Sequence, residues 1–216
     1  MNQHENRKSS IPPYTWLLSR RPNFMASWIH ALRKVAVEHL ELQKGDRILD
    51  VGCGTGASFP YLVQAVGTSG EVVGVEISLD MARQARKRVE SHGWSNVHVL
   101  EDAAQTVHLA GQFDGLLLFA AHEVLSSPDA LDHLLASLQK NAHVVAFGAK
   151  RSSRQLGMLF NPLLSFITHH LLPSSTAPID DQPWRLLKER LQEFHQQEHA
   201  YGFMYLVWGS FHLSEG

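Results

Sequence analysis

In the stretch ILDVGCGTG, residues 48–56, a carboxylate at Asp50 precedes three glycines, Gly52, Gly54 and Gly56, with Cys53 between the first two. A strand-forming run leads in and a helix-like run leads out. Such a loop brings backbone N–H groups and the positive end of a helix toward an anionic or dipolar guest. A nucleoside triphosphate would call for Gly-x-x-x-x-Gly-Lys-Ser/Thr, which the sequence lacks. A dinucleotide is harder to dismiss: Gly52, Gly54 and Ala57 satisfy Gly-x-Gly-x-x-Gly/Ala, and Glu76 closes the next strand at about the expected spacing. Asp50 argues the other way. A carboxylate there repels a pyrophosphate and suits a ligand that presents an ammonium group. A second acidic pair, in Glu101-Asp102-Ala103, follows the third strand and offers an acceptor to a donor such as an adenine amino group.

These residues must be held by a scaffold, and the hydrophobic pattern supplies one. Apolar residues recur at helical spacing from about Phe24 to Leu40. Apolar strands are expected at RILDVG, at residues 71–77, 96–100, 113–121 and 142–149. Helices are expected between them, over 57–67, 78–93 and from Pro128 to Leu138, with Ser78 as an N-cap and Gly67 and Gly93 at helix ends. Alternating helices and continuously apolar strands predict a parallel sheet covered on both faces. Beyond 183 the pattern changes to a helix WRLLKERLQEF and two segments that pair as an antiparallel hairpin around Tyr201–Gly202. The expected fold is therefore α/β, a Rossmann-like open sheet, mostly parallel, with an antiparallel C-terminal strand. One domain spans 1–216: a helical N-terminal cap over 1–43, a cofactor-binding core over 44–149, an apolar lid or insertion over 150–183, and a C-terminal helix and hairpin over 184–216.

In order along the chain, LDVGCGTG, the acidic Glu76 ending VVGVEIS, EDA and FDGLLLF resemble the class I S-adenosylmethionine-dependent methyltransferases over roughly residues 30–150. The closing YGFMYLVWG is similar to that family's last strand. The chain departs from the family in having KNAHVV where a Pro-Gly-Gly turn often precedes the fifth strand. The resemblance implies S-adenosylmethionine as cofactor. It implies that Asp50, Gly52 and Gly54 hold the methionine moiety, with Cys53 and Gly56 shaping the loop. Glu76 would accept both ribose hydroxyls, Ile77 and Met81 would flank the adenine, Asp102 would accept from its N6 amino group, and the Ala103 N–H would reach a ring nitrogen. Phe119, ending the fourth strand, is counted with these contacts.

The acceptor side is less legible. In an open parallel sheet the ligand lies beyond the carboxyl ends of the strands, where the strand order reverses. His122 and Glu123 are the first titratable residues after the fourth strand, so His122 is the candidate for orienting or deprotonating the acceptor, with Glu123 as its partner. The alternative is that His122 caps the next helix or contacts backbone. Tyr14 and Trp28, in an aromatic N-terminal segment with no strand of its own, are candidate substrate contacts; packing on the sheet explains them equally well. Residues 156–172 carry more apolar surface than one helix stripe requires, which points to a lid over a small, apolar or lipid-like acceptor and to peripheral membrane contact; a plain core helix or a dimer interface explains them equally well.

Composition sets outer bounds. The net charge of −2 gives no basic field for nucleic acid, and one cysteine allows neither an internal disulfide nor a cysteine-based zinc site. With a polar N-terminus, these features lead us to expect a cytoplasmic protein. His195–His199, HQQEH, matches a zinc-protease pattern that works on a helix. On a strand its histidines would stand about 13 Å apart, so no metal is expected. The basic run RQARKR, residues 83–88, reads as a solvated helix face. Two other functions stay open on the sequence: an NAD-dependent oxidoreductase and a non-catalytic methyltransferase-like binding module.

Overall fold

The computed structural model describes residues 22–151 and 180–212. The chain divides into two units, Met1–Leu32 and Arg33–Gly216. Helix α1 (Pro22–Glu38) runs through the boundary. The second unit holds β1 (Arg47–Val51), α2 (Phe59–Val66), β2 (Glu71–Val75), α3 (Leu79–His92), β3 (Val97–Leu100), β4 (Phe113–Phe119), the short α4 (His122–Leu125), α5 (Pro128–Leu135), β5 (Leu138–Ala149), α6 (Arg185–Lys188), β6 (Gln192–His199) and β7 (Met204–Ser210).

Seven strands form one sheet in the order β3-β2-β1-β4-β5-β7-β6. β1 to β5 pair in parallel, while β7 runs antiparallel to both β5 and β6. The inner strands are apolar on both faces because helices cover both: Ile48, Leu49, Val72, Leu116, Leu117, Leu118, Val144 and Val145 are all buried. β6, QEFHQQEH, ends the sheet and is largely exposed. A polar, charged edge discourages pairing with another chain.

The expected mixed sheet is therefore present, and three local expectations change. The helix expected to Leu138 stops at Leu135, because Leu138 already pairs with Phe113 and starts β5. The helix expected over WRLLKERLQEF is one turn long, and Gln192 to His199 are strand, since their backbone groups pair with β7. HQQEH consequently lies on β6, where residues four apart do not stack above one another; the His195 ring instead lies parallel to Trp208, its partner across the ladder, with centroids 5.3 Å apart. Third, the basic run on α3 is not uniformly solvated. Arg88 reaches across to the glycine loop, where its Nε donates to the Thr55 carbonyl at 3.0 Å, and Arg86 bonds Glu101 and the Val99 carbonyl. Tyr14 and the 156–172 segment lie outside the described residues. Among those described, no helix is long and apolar enough to cross a membrane.

Candidate active site

The strand order reverses between β1 and β4, and the crevice expected at that point is a cavity of about 510 Å³ at the carboxyl ends of β1, β2 and β4. That volume suits a single small-molecule cofactor or ligand. Asp50, Gly52, Cys53, Gly54, Glu76, Ile77, Met81, Asp102, Phe119, His122 and Glu123 all line it. Two of the expected cofactor contacts do not. Gly56 is buried behind the loop against the Phe59 ring, and the Ala103 N–H is directed at Asp102 Oδ1, 2.7 Å away, rather than into the cavity. Trp28 lies on α1 in the N-terminal unit.

The loop keeps its shape through backbone bonds from β2. Gly52 and Cys53 both donate to the Val75 carbonyl, at 2.9 and 3.1 Å. Gly52 has φ 69°, and a Cβ built there would stand 3.1 Å from the Ala121 methyl, so this position excludes other side chains on two counts. Burial pushes the Cys53 thiol well above its ordinary pKa, which removes it as a nucleophile and leaves it as packing.

Glu76, 7 % exposed, ties two segments of the site together. Its Oε2 accepts from the Gly54 N–H and its Oε1 from the Ser78 N–H, both at 2.9 Å. Each oxygen retains a lone pair, so the carboxylate can still take two donors from the cavity. Below it Ile77 is 70 % exposed, and Leu79 and Met81 are also exposed, an apolar shelf against which a flat ring could lie. Asp102 keeps Oδ1 for the Ala103 N–H and the Thr106 hydroxyl, leaving Oδ2 as an acceptor.

Asp50 is the electrostatic anomaly. It is fully buried, and neither carboxylate oxygen has a hydrogen-bond partner in the described structure. Burial pushes its pKa up to about 7; the Arg33 charge pulls it down and the Glu76 charge pushes it further up. A buried carboxylate without partners is costly, and a cation brought into the adjoining cavity would offset that cost. Arg33 is the residue that sequence reasoning missed. Its Nε donates to Ser58 Oγ at 3.2 Å and its guanidinium lies over the Phe119 ring, 4.2 Å from the centroid. Burial lowers its pKa. The signal was present in α1: Arg33 shares a helix face with the buried Ala36 and Val37, three and four residues on. A cation on an apolar stripe is rarely idle.

S-adenosylmethionine fits this donor set. Its α-amino group is the cation that Asp50 lacks, its ribose diol suits Glu76, and its adenine suits the Ile77 shelf. Pyrophosphate would instead be set against Asp50.

At the end of β4, Ala120 turns the chain in a left-handed conformation, φ 63°, with its N–H donating to the Phe147 carbonyl at 2.7 Å. His122 follows. Its Nε2 accepts from the Ala149 N–H at 3.2 Å, at the end of β5, and its ring meets Tyr205 edge to face. Burial lowers its pKa. Glu123 is exposed.

A family model described as a methyltransferase domain matches residues 48–141. The chain is 27 % identical over 188 residues to a ubiquinone/menaquinone biosynthesis C-methyltransferase of Stutzerimonas stutzeri, covering 84 % of this chain and 72 % of that protein. It is 34 % identical over 96 residues to a protein-L-isoaspartate O-methyltransferase of Ignicoccus hospitalis, covering 44 % of each. The chain spans about half the length of the first curated relatives it matches. In fold it is similar to the N-methyltransferase NodS of Bradyrhizobium japonicum in complex with S-adenosylhomocysteine, with a TM-score of 0.62 at 15 % identity over 93 % of each chain. The matched stretch begins at the strand that carries the glycine loop and runs into β5, so it takes in every residue of the cavity except Arg33. Over residues 48–141 the chain matches the methyltransferase-domain family, and in sequence and fold it is similar to S-adenosylmethionine-dependent methyltransferases.

Proposed function

We propose that this protein transfers the methyl group of S-adenosylmethionine to a small, apolar acceptor. The observation that carries the reading is Asp50: a fully buried carboxylate without a partner, on the wall of a cavity whose other buried acid, Glu76, is fixed by backbone N–H groups from the glycine loop and the start of α3. In this reading Asp50 and Arg33 divide the methionine zwitterion, the carboxylate taking the amino group and the guanidinium the carboxylate. Glu76 takes the ribose hydroxyls, Ile77 and Met81 bracket the adenine, and Asp102 receives its amino group. The cofactor, when bound, supplies an electrophilic methyl on a sulfonium. The chain's own groups would position it, with Phe119 and Ala121 as buried apolar lining of the cavity; displacement at carbon needs little more than alignment and desolvation.

The small, apolar acceptor is supported by the quinone-pathway relative, which matches over most of this chain, and by Phe119, Ala121 and Val124 on the cavity wall. The isoaspartate relative matches a shorter stretch, 96 residues.

Radiolabelled S-adenosylmethionine incubated with the full chain and a small-molecule cell extract tests this. Label is expected in organic-extractable products. In Glu76→Ala, cofactor binding should weaken by roughly 1.5–3 kcal/mol, the scale for hydrogen bonds to a charged group, and labelling should fall with it. Label confined to protein or nucleic acid would overturn the acceptor class.

A further inference from the structure

Resting on the methyltransferase reading, we infer that His122 is a fixed hydrogen-bond donor that selects acceptors carrying a carbonyl or ionised oxygen beside the atom to be methylated. The geometry begins at Nε2. A backbone N–H can only donate, and the Ala149 N–H points at Nε2 from 3.2 Å. Nε2 must therefore present its lone pair. A neutral imidazole carries one proton, which is thereby placed on Nδ1. Among the described residues Nδ1 has no hydrogen-bond partner, and it is not among their sealed, unpaired polar atoms. His122 itself lines the cavity on the side of the Ala120–Ala121 turn.

The surroundings fix this tautomer. A Cβ built on Gly148 would stand 2.8 Å from His122 Cε1, 3.0 Å from Nε2 and 2.8 Å from the Tyr205 hydroxyl, so the ring lies directly on the β5 backbone and only glycine admits it there. Tyr205, from β7, is fully buried and contacts the ring by its edge. Of the titratable groups around the ring, this phenol is kept protonated by burial, Glu123, next in sequence, is exposed, and Lys150, which follows Ala149, is ion-paired with Glu198. Protonating His122 would set an Nε2–H against the Ala149 N–H, which adds to burial in disfavouring the cation. A group that can neither accept a proton at Nε2 nor offer a lone pair at Nδ1 is not a general base. It offers one directional N–H, and its complement is an oxygen with a lone pair: a ketone, an enolate or a phenolate. Amines and hydrocarbon acceptors leave that N–H unpaired, which discriminates against them.

The test uses the full chain with 15N-labelled histidine. Long-range 1H–15N correlations, with the His122 signals identified by their loss in His122→Asn, should show protonated Nδ1 and bare Nε2 from pH 6 to 8. 4-Nitrophenolate, the oxyanion probe, is then titrated in the presence of S-adenosylhomocysteine. It should shift the Nδ1 resonance. His122→Leu should weaken the probe by about tenfold or more, whereas His122→Asn, whose amide nitrogen replaces Nδ1, should stay within about threefold; thermal melting confirms that both variants fold. An Nε2–H tautomer, an imidazolium titrating near neutrality, a phenolate that does not bind, or equal losses in the Asn and Leu variants would each overturn the inference. Titration of S-adenosylhomocysteine alone separates the two levels. Without binding, the cofactor reading falls and takes this one with it; with binding and the wrong tautomer, only the role of His122 falls.

Discussion

Asp50 determines how the site responds to pH. An ordinary aspartate carboxyl releases its proton near 3.8, and burial holds this one to about 7. Between those values the folded chain keeps a proton that the unfolded chain has lost, so this group's contribution makes ligand-free stability fall as pH rises through that window. The full difference is on the order of 4 kcal/mol. Binding of a cationic amino group favours the carboxylate, so cofactor affinity should move the opposite way, rising from pH 6 to 8 and levelling above that. Asp50→Asn removes both effects. Its melting temperature should exceed that of the wild type at pH 8 and approach it at pH 5, while its affinity for S-adenosylhomocysteine should be weak and flat with pH. Parallel pH profiles in the two proteins would show that Asp50 keeps its charge without the ligand. Arg33 belongs to the same scale. It was missed because a single basic residue in an amphipathic helix reads as solvated unless its neighbours at three and four residues are weighed with it.

At the scale of elements, most of the scaffold was legible. The glycine loop, the α3 caps and the apolar strands from Arg47 to Phe119 have local chemical causes: Ser78 accepts from the Met81 N–H, Gly93 closes α3 in a left-handed turn, and the strands are apolar on both faces because both are covered. The failures fall where a non-local pairing overrides a local pattern. WRLLKERLQEF has helical periodicity, yet β7 offers it a free edge, and Gln192 onward takes it. The brace from Arg88 to Thr55 joins residues 33 apart and leaves no mark in either segment alone. Contact between α2 and β2 yields a prediction at this scale. Gly74 lies where a Cβ would come within 2.8 Å of the Phe59 ring and 2.9 Å of Cys53 Sγ. Gly74→Ala should therefore cost about 1–3 kcal/mol by overpacking and disturb the loop that Cys53 underlies. Urea unfolding measures it, and an unchanged midpoint would mean that the ring has room to move.

For the molecule as a whole, the fold supplies a crevice at the strand reversal, and the residues decide its guest. Fold alone does not name a reaction; a sheet of this kind also holds dinucleotides. The discriminating feature is charge. A dinucleotide brings pyrophosphate toward the glycine loop, where Asp50 stands, whereas S-adenosylmethionine brings an ammonium group and a sulfonium. The setting of His122 was legible only to the end of β4, because Ala149, whose N–H bonds its ring, is 27 residues further on and donates through its backbone, which no sequence pattern marks. The most direct measurement is calorimetric titration of the full chain at pH 8 with S-adenosylhomocysteine and, separately, with NAD. The charge arrangement predicts one site for S-adenosylhomocysteine, displaced by S-adenosylmethionine, and no saturable binding of NAD. Tighter binding of NAD, or no heat with S-adenosylhomocysteine, would contradict it.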